Sequence, residues 1–389
     1  MPIETQVNVV PTLPSKGIDV VQIEKELASM WANASDGETG TRSGVTRACA
    51  LNLIVYTTPR DDRQRLEDLL NQVNEQHPGR TLILVADRET LEPRLEAYVS
   101  TRCRLLGGTG KQICGEQITI EASGPIVETA ATAVAPLLVP DVPVYLWWKD
   151  IPHYEDKLFD RMAQMADRIV IDSAAFDHPY DDLLRLAKML ADPSRVLRVS
   201  DLNWGGLTSW RTLLASFWDV PDYRPLLDKL DRVAVQYRPS SDAPDEIAPK
   251  ALLLAGWFSS RLGWKVVGDT VRVNEGVIDC DLSSGNREII FALIRDKTGE
   301  LNDGMISAVA LSATREAGEF SVALRAGGTK LETEARIGDA HSVGRVLGYE
   351  MRSEANRLSR ELAFLSHDAI YEEAVAQAAH LVEAITARA

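Results

Sequence analysis

Glycine and lysine are spaced as if to hold a phosphate in Leu106-Gly107-Gly108-Thr109-Gly110-Lys111-Gln112. A P-loop needs a glycine, four residues, then Gly-Lys-Ser/Thr. Here Leu105 stands where the first glycine belongs, and Gln112 replaces the hydroxyl that would hold magnesium. A dinucleotide fingerprint fails as well, because Ile113 occupies the third glycine position and the segment precedes a strand instead of opening a helix. A hairpin-like loop is the expectation. Nucleophile elbows of the G-x-S-x-G kind and H-E-x-x-H metal pairs are missing. His77 precedes Pro78 at a helix end, while His153 and His178 fall in polar loops after strand ends, where α/β active sites usually lie. Asp279-Cys280-Asp281 imitates a D-x-D metal motif, but residues two apart on a strand share one face, so two solvated carboxylates are expected. With no catalytic constellation, cofactor site or metal site, the chain reads as a binding protein rather than an enzyme. The rival reading is an enzyme on a sugar phosphate or sugar nucleotide, working at the sheet end near His153, Asp172 and His178.

Tryptophan is the residue type that stands out. Aromatic residues are 6% of the chain, yet Trp147 and Trp148 are adjacent, and Trp204 and Trp210 share the segment DLNWGGLTSW, followed by Arg211. Tryptophan is usually core. Trp and Arg also dominate protein–protein hot spots, so Asp201, Asn203, Trp204, Trp210 and Arg211 are the candidate partner-binding residues.

These residues need elements to position them. Val20 to Trp31 has helical apolar spacing, and a Gly/Ser/Thr-rich loop follows. Ala48 to Tyr56 and Arg80 to Ala86 are near-continuous apolar runs, as buried parallel strands should be. Between them Thr58 is the expected N-cap of a helix carrying Leu66, Leu69, Leu70 and Val73. The alternation continues through strands at Glu116 to Glu121, Pro143 to Trp147, Arg168 to Asp172 and Arg195 to Val199. Helices are expected at Ile126 to Leu138, Lys157 to Met165, Asp181 to Leu190 and Leu207 to Phe217. That predicts a Rossmann-like α/β domain, residues 1–238, with a mostly parallel sheet. The Pro- and acid-rich stretch RPSSDAPDEIAPK predicts a linker at 239–250. Residues 251–389 then form an α+β domain: a helix, an antiparallel meander from Trp264 to Ile337, and terminal helices over His341 to Leu365 and Asp368 to Ala387.

Length and charge bound the rest. The chain has 389 residues and a net charge of −15, enough for two cores and unfavourable for nucleic acid or an anionic membrane as partner. The apolar run Ala133 to Trp148 is interrupted by three prolines, the first residues lack a signal-peptide pattern, and the four cysteines have no metal spacing. A cytoplasmic location with thiols is expected.

The segments RACALNLIVY, HPGRTLILVAD, ICGEQITIEASG, PLLVPDVPVYLWWK, ADRIVIDS, DLNWGGLTSWR and LLLAGWFSSRLGW run in one order from Arg47 to Trp264. In these the chain resembles the OpcA family, glucose-6-phosphate dehydrogenase assembly or activator proteins of cyanobacteria and actinobacteria. The resemblance implies a non-catalytic partner that binds glucose-6-phosphate dehydrogenase, favours its active oligomer and raises its apparent substrate affinity. It would thereby support the oxidative pentose phosphate pathway and NADPH supply. It also implies redox control involving thioredoxin. No cysteine lies near the C-terminus, so Cys103 and Cys114, which flank the glycine loop, are the candidate dithiol pair; Cys49 and Cys280 look like strand-core residues.

Overall fold

Backbone polarity must be satisfied wherever apolar side chains draw a segment inside, and the first sheet grows from that demand. The computed structural model describes residues 7–10, 18–35, 45–105, 112–153, 155–268, 270–296, 301–325, 327–349 and 352–388. The glycine-rich segment 106–111 lies outside them, as does the loop 36–44. In chain order come β1 (Val7–Val10), α1 (Val20–Ser35), β2 (Val45–Arg47), β3 (Asn52–Thr57), α2 (Arg63–Gln76), β4 (Arg80–Asp87), β5 (Arg94–Leu105) and β6 (Gln112–Ser123). They are followed by α3 (Ala130–Val134), β7 (Val144–Trp148), α4 (Lys157–Met165), β8 (Arg168–Ile171), α5 (Pro179–Leu190) and β9 (Val199–Asp201). Among the described residues these strands form one nine-stranded sheet, ordered β1-β5-β6-β4-β3-β7-β8-β9, with β2 beside β6. Every pairing from β6 through β8 is parallel, whereas β5 runs antiparallel to β6. Counted along the parallel strands alone, the order is 3-2-1-4-5-6, the Rossmann order. The expected α/β class is what the chain adopts.

Local details differ from expectation for physical reasons. The cap of α2 is Asp62, which accepts the Arg65 N–H; Thr58 is not the cap. Asp61 instead takes Thr57 Oγ1 at 2.6 Å and the Thr58 N–H at 3.2 Å, tightening the turn before the helix. Gly115 on β6 lets α2 approach: a Cβ there would lie 2.3 Å from Asn74 Oδ1. The helix expected over Ile126 to Leu138 is broken into 3-10 turns around α3, with Pro125 and Pro136 near their starts.

The remaining elements are α6 (Leu202–Gly205), α7 (Thr208–Ser216), β10 (Arg232–Tyr237), α8 (Pro249–Leu262), β11 (Lys265–Val266), β12 (Arg272–Asn274), β13 (Val277–Ser284) and β14 (Arg287–Arg295). Then come β15 (Ile306–Ala313), β16 (Gly318–Arg325), β17 (Lys330–Ile337), β18 (Ala340–Gly348), α9 (Glu354–Leu362) and α10 (Ala369–Thr386). A second sheet runs β11-β13-β14-β10-β15-β16-β17-β18, with β12 beside β13; it is antiparallel except where β10 lies parallel to β14. The chain divides into two units: Met1–Ile171, Leu197–Ser200 and Ser353–His367 in the first, Asp172–Val196, Asp201–Arg352 and Asp368–Ala389 in the second.

This corrects the expected boundaries 1–238 and 251–389. Strand β10 belongs to the second sheet, and the stretch 239–250 belongs to the second unit, buried at Ala243 and at residues 247–249 and exposed at Ser241, Asp242, Pro244 and Asp245. Ile247 and Ala248 are buried, Glu246 accepts the Tyr180 N–H at 2.7 Å, and the Ile247 N–H reaches Tyr180 OH at 3.2 Å. Of the acids that suit a linker, Glu246 is the one held by a close hydrogen bond, while Asp242 and Asp245 are exposed. The helix expected over His341 to Leu365 is also corrected to β18 followed by α9. Val343 and Leu347 are four apart, an even spacing that fits a strand face as well as a helical turn. Among the described residues no helix is long and apolar enough to cross a membrane.

Candidate functional site

In an open α/β sheet the ligand crevice lies beyond the carboxyl ends of the strands where the strand order reverses, here between β3 and β7. Tyr56 and Trp148, partners in that pairing, fill the place. Their rings stack at 3.6 Å between centroids and both are buried; Phe159 of α4 meets Trp148 edge-on at 5.1 Å. Arg88, just past β4, crosses above Tyr56 and grips Asp156 through two bonds of 2.8 and 2.9 Å, while Asp156 caps α4. Burial pushes the Tyr56 hydroxyl up to about 12. On the other face Lys149 lies over the Trp147 ring and within 3.5 Å of both Asp61 and Glu354. A dinucleotide's pyrophosphate would need the N-terminus of α2. There the Asp61 and Asp62 carboxylates already hold the Thr58 and Arg65 N–H groups. The arrangement binds its own side chains where a cofactor would lie. Sequence reasoning missed this site, although Asp61 and Asp62 ahead of an apolar helix, with no glycine in the turn, were its visible signal.

Beside it, still within the first unit, is a cavity of about 480 Å³ at the carboxyl ends of β3, β4 and β6. Leu66, Ile83 and Val85 give it an apolar floor, and carboxylates and hydroxyls form its rim.

The candidate partner-binding residues are brought together in the second unit, but mostly inside it. Asp201, Asn203, Trp204 and Trp210 are buried, and Arg211 is half-buried. Trp204 Nε1 donates to Asp368 at 2.9 Å, its ring lies 5.7 Å from that of Tyr371, and the Arg211 guanidinium stacks 3.6 Å over it. Trp210 packs edge-on against Tyr349. Asp201 accepts the Ser173 and Asn203 N–H groups and lies 3.4 Å from Tyr371 OH. As direct contacts to a partner, four of the five are corrected by this packing: a side chain in hydrogen-bonded core is not on offer at the surface. They hold the Gly205-Gly206 turn and Arg211 in place instead.

Burial, reinforced by the negative charge of Asp172, pushes Asp201 up to about 6, against the pull of the Ser173 and Asn203 donors. Its folded pKa thus exceeds the unfolded value of about 4. Between those values the folded chain holds a proton that the unfolded chain has lost. Stability from this group is therefore full below about pH 4 and falls as pH rises to about 6, by about 3 kcal/mol. Asp201→Asn keeps an acceptor for both N–H groups and removes that loss. Urea melts at pH 4.5 and 7 should show the variant less pH-dependent and more stable at pH 7; equal slopes in both proteins would overturn the assignment.

Cys103 and Cys114 are cross-strand partners on β5 and β6, joined as a disulfide with Cα atoms 4.0 Å apart. Strand register brings them together. Cys280 is buried, its thiol pushed up to about 12 by desolvation; Cys49 is half-buried and also raised by burial. His153 and His178 are exposed, and Asp172 is spent on the Ala174 N–H. His77 Nε2 donates to the Ser359 carbonyl, 2.8 Å away. Asp279 and Asp281 are not free solvated acids but pair with Arg232 and Arg272, the latter through two bonds of 2.6 Å.

Fold and crevice define a Rossmann-like α/β protein whose switch point is occupied by its own aromatic rings and carboxylates. Two family models match it, described as the glucose-6-phosphate dehydrogenase subunit N-terminal domain over residues 70–188 and the corresponding C-terminal domain over 197–375. The chain belongs to the OpcA family. It is 29% identical to the OxPP cycle protein OpcA of Synechocystis over 68% of this chain and 55% of that protein. To OpcA of Nostoc punctiforme it is 27% identical over 74% and 62%, and to OpcA of Synechococcus elongatus 32% over 51% and 43%. The chain therefore spans less than two thirds of the length of these relatives. Among solved structures it is similar to an aldose-aldose oxidoreductase from Caulobacter crescentus, at 9% identity and a TM-score of 0.47, covering 87% of this chain and 96% of that one. A 3-ketoreductase from Actinomadura kijaniata gives 12% identity and a TM-score of 0.45, covering 86% and 96%.

Proposed function

We propose that the protein is a non-catalytic activator and assembly partner of glucose-6-phosphate dehydrogenase, which favours that enzyme's active oligomer and raises its apparent affinity for glucose 6-phosphate. Family membership supports the partner. The single structural observation behind the non-catalytic part is the Tyr56–Trp148 stack, with Asp61 and Asp62 at the helix N-terminus, occupying the crevice a dinucleotide would need. Such an activator must bind the active conformation more tightly than the inactive one. Moving an enzyme from mostly inactive to mostly active takes a differential affinity of about 5 kcal/mol. Arg211 and the turn beside it are the proposed contact, with Asp201, Asn203, Trp204 and Trp210 as its support. The test is to titrate the protein into glucose-6-phosphate dehydrogenase while following the glucose 6-phosphate saturation curve and the oligomer mass. A complex with a leftward-shifted curve is expected; no complex and no kinetic shift, under either reducing or oxidising conditions, defeats the reading.

Redox sensitivity through Cys103 and Cys114, with thioredoxin as reductant, is part of the proposal. Cys103 is half-buried and Cys114 buried, so a reductant would reach Cys103 first. Closing a loop of this length restricts the unfolded chain by about 3 kcal/mol, so Cys103→Ser with Cys114→Ser should lower the oxidised protein's stability by roughly that amount. The same double variant should activate the enzyme equally with and without reductant. Equal activation by the oxidised and reduced natural sequence would remove the pair from regulation.

A further inference from the structure

The cavity beside the closed crevice is used by nothing above. It lies wholly within the first unit, is about 480 Å³, and opens at the carboxyl ends of three parallel strands. That volume is within the range of small-molecule sites, and the mixture of apolar floor and polar rim is their usual make-up. Leu66 of α2 lines it with Ile83 and Val85 of β4, which share one sheet face, and Thr119 of β6 lies beside Ile83 on that face, an apolar patch that a planar ring can cover. At its mouth Asp87 ends β4, the strand next to β3, where the second strand of a Rossmann sheet carries the acid that accepts ribose hydroxyls. The turn after β4 fixes Asp87: Oδ1 takes the Glu89 and Thr90 N–H groups at 3.0 Å, and Oδ2 takes Thr90 Oγ1 at 2.5 Å. Oδ2 keeps a lone pair for a further donor.

Charge decides what else the ligand can carry. The lining holds five carboxylates (Asp61, Glu67, Asp87, Glu92 and Glu121) against Arg63 and Arg94, so 2 − 5 = −3. Both arginines are already engaged, Arg63 with Glu121 at 2.7 Å and Arg94 with Glu96 at 2.6 Å. A phosphate would meet excess negative charge, and the α2 N-terminus that could receive it is taken by Asp61 and Asp62.

We propose that this cavity binds a nucleoside without phosphate: a planar base on the floor of Leu66, Ile83 and Val85, and sugar hydroxyls on Asp87. The proposal is independent of dehydrogenase binding, since it rests on the first unit's cavity alone. The test titrates the full chain with adenosine, AMP and NADP by calorimetry. Adenosine should bind, and AMP should bind at least about tenfold more weakly. Asp87→Asn should weaken adenosine about tenfold, and Val85→Phe should abolish binding by filling the cavity, with an unchanged melting temperature showing that it folds. No adenosine binding at millimolar concentration, AMP or NADP binding as tightly as adenosine, or an affinity that Asp87→Asn leaves unaltered would each overturn it. Should Val85→Phe fail to fold, the Asp87→Asn and AMP comparisons still decide.

Discussion

Glu116→Ala is expected to destabilise the first unit by about 3–5 kcal/mol, the cost of breaking a buried ion pair from one side. Glu116 is buried on β6 and ties four elements together. It accepts from Trp31 Nε1 of α1 at 2.6 Å, from Arg47 Nε of β2 at 2.8 Å, and from Arg80 of β4 through Nε at 2.8 Å. Arg80 is itself buried and would be left with Glu24, at the partly exposed edge of α1, and the Leu137 carbonyl. A buried guanidinium that loses its buried carboxylate and keeps only a half-exposed one is the origin of the large effect. The control is Arg47→Ala, whose side chain is half exposed and whose loss should cost no more than about 1 kcal/mol. Glu116→Gln should fall between, because an amide oxygen still accepts from Trp31 but no longer balances the arginine. Urea melts of the three variants check the order. Equal losses for Glu116→Ala and Arg47→Ala would show that the buried pair is not what holds β6, β4 and α1 together.

Why part of this was legible, and part not, follows from the range over which each signal acts. Asn52–Thr57 and Arg80–Asp87 are apolar runs whose burial on both faces can be read from composition alone, and the parallel sheet followed. The role of Glu116 could not be read. It shares a strand face with Ile118 and Ile120, but its partners lie 36 to 85 positions away in the chain, and only tertiary packing brings them near. The unit boundary failed for the same reason. Composition marks 239–250 as something that avoids burial, but Tyr180 donates its N–H to the Glu246 carboxylate and accepts the Ile247 N–H, and Arg295 donates to the Asp245 carbonyl, which lets Ile247 bury. Strand β5, which pairs antiparallel with β6 and sets Cys103 opposite Cys114, has no counterpart among the strands expected from the sequence, so the register that joins the two cysteines is legible only in the folded sheet.

The candidate site divides in a similar way. The failed glycine spacings direct attention away from phosphate chemistry, but not to what stands at the crevice. Tyr56 and Trp148 are 92 positions apart and meet because β3 and β7 are neighbours in the sheet, a consequence of strand order that no local pattern encodes. Trp204 and Trp210 were visible as an unusual local density of tryptophan. Local density, however, cannot separate a hot spot from a core, since both select the same large, partly polar ring.

The tryptophans therefore give the second large effect. Trp204→Ala should cost about 3–5 kcal/mol, the range for emptying a buried large aromatic. The ring is 3% exposed, donates to Asp368 at 2.9 Å, and carries Arg211 on its face at 3.6 Å. Asp368 also accepts the Tyr371 N–H as the cap of α10, so the substitution loosens the start of that helix. Trp204→Phe keeps most of the ring and removes the N–H, and should cost about 2 kcal/mol, the range for a hydrogen bond to a charged group. Arg211→Ala tests the surface separately. Its stacking is worth about 1 kcal/mol, so the melt should hardly move while binding to glucose-6-phosphate dehydrogenase weakens. The two substitutions thus separate support from contact. If Trp204→Ala melted like the natural sequence yet lost the complex, the ring would belong to the docking face; if Arg211→Ala bound the enzyme unchanged, the proposed contact would have to lie elsewhere on the chain.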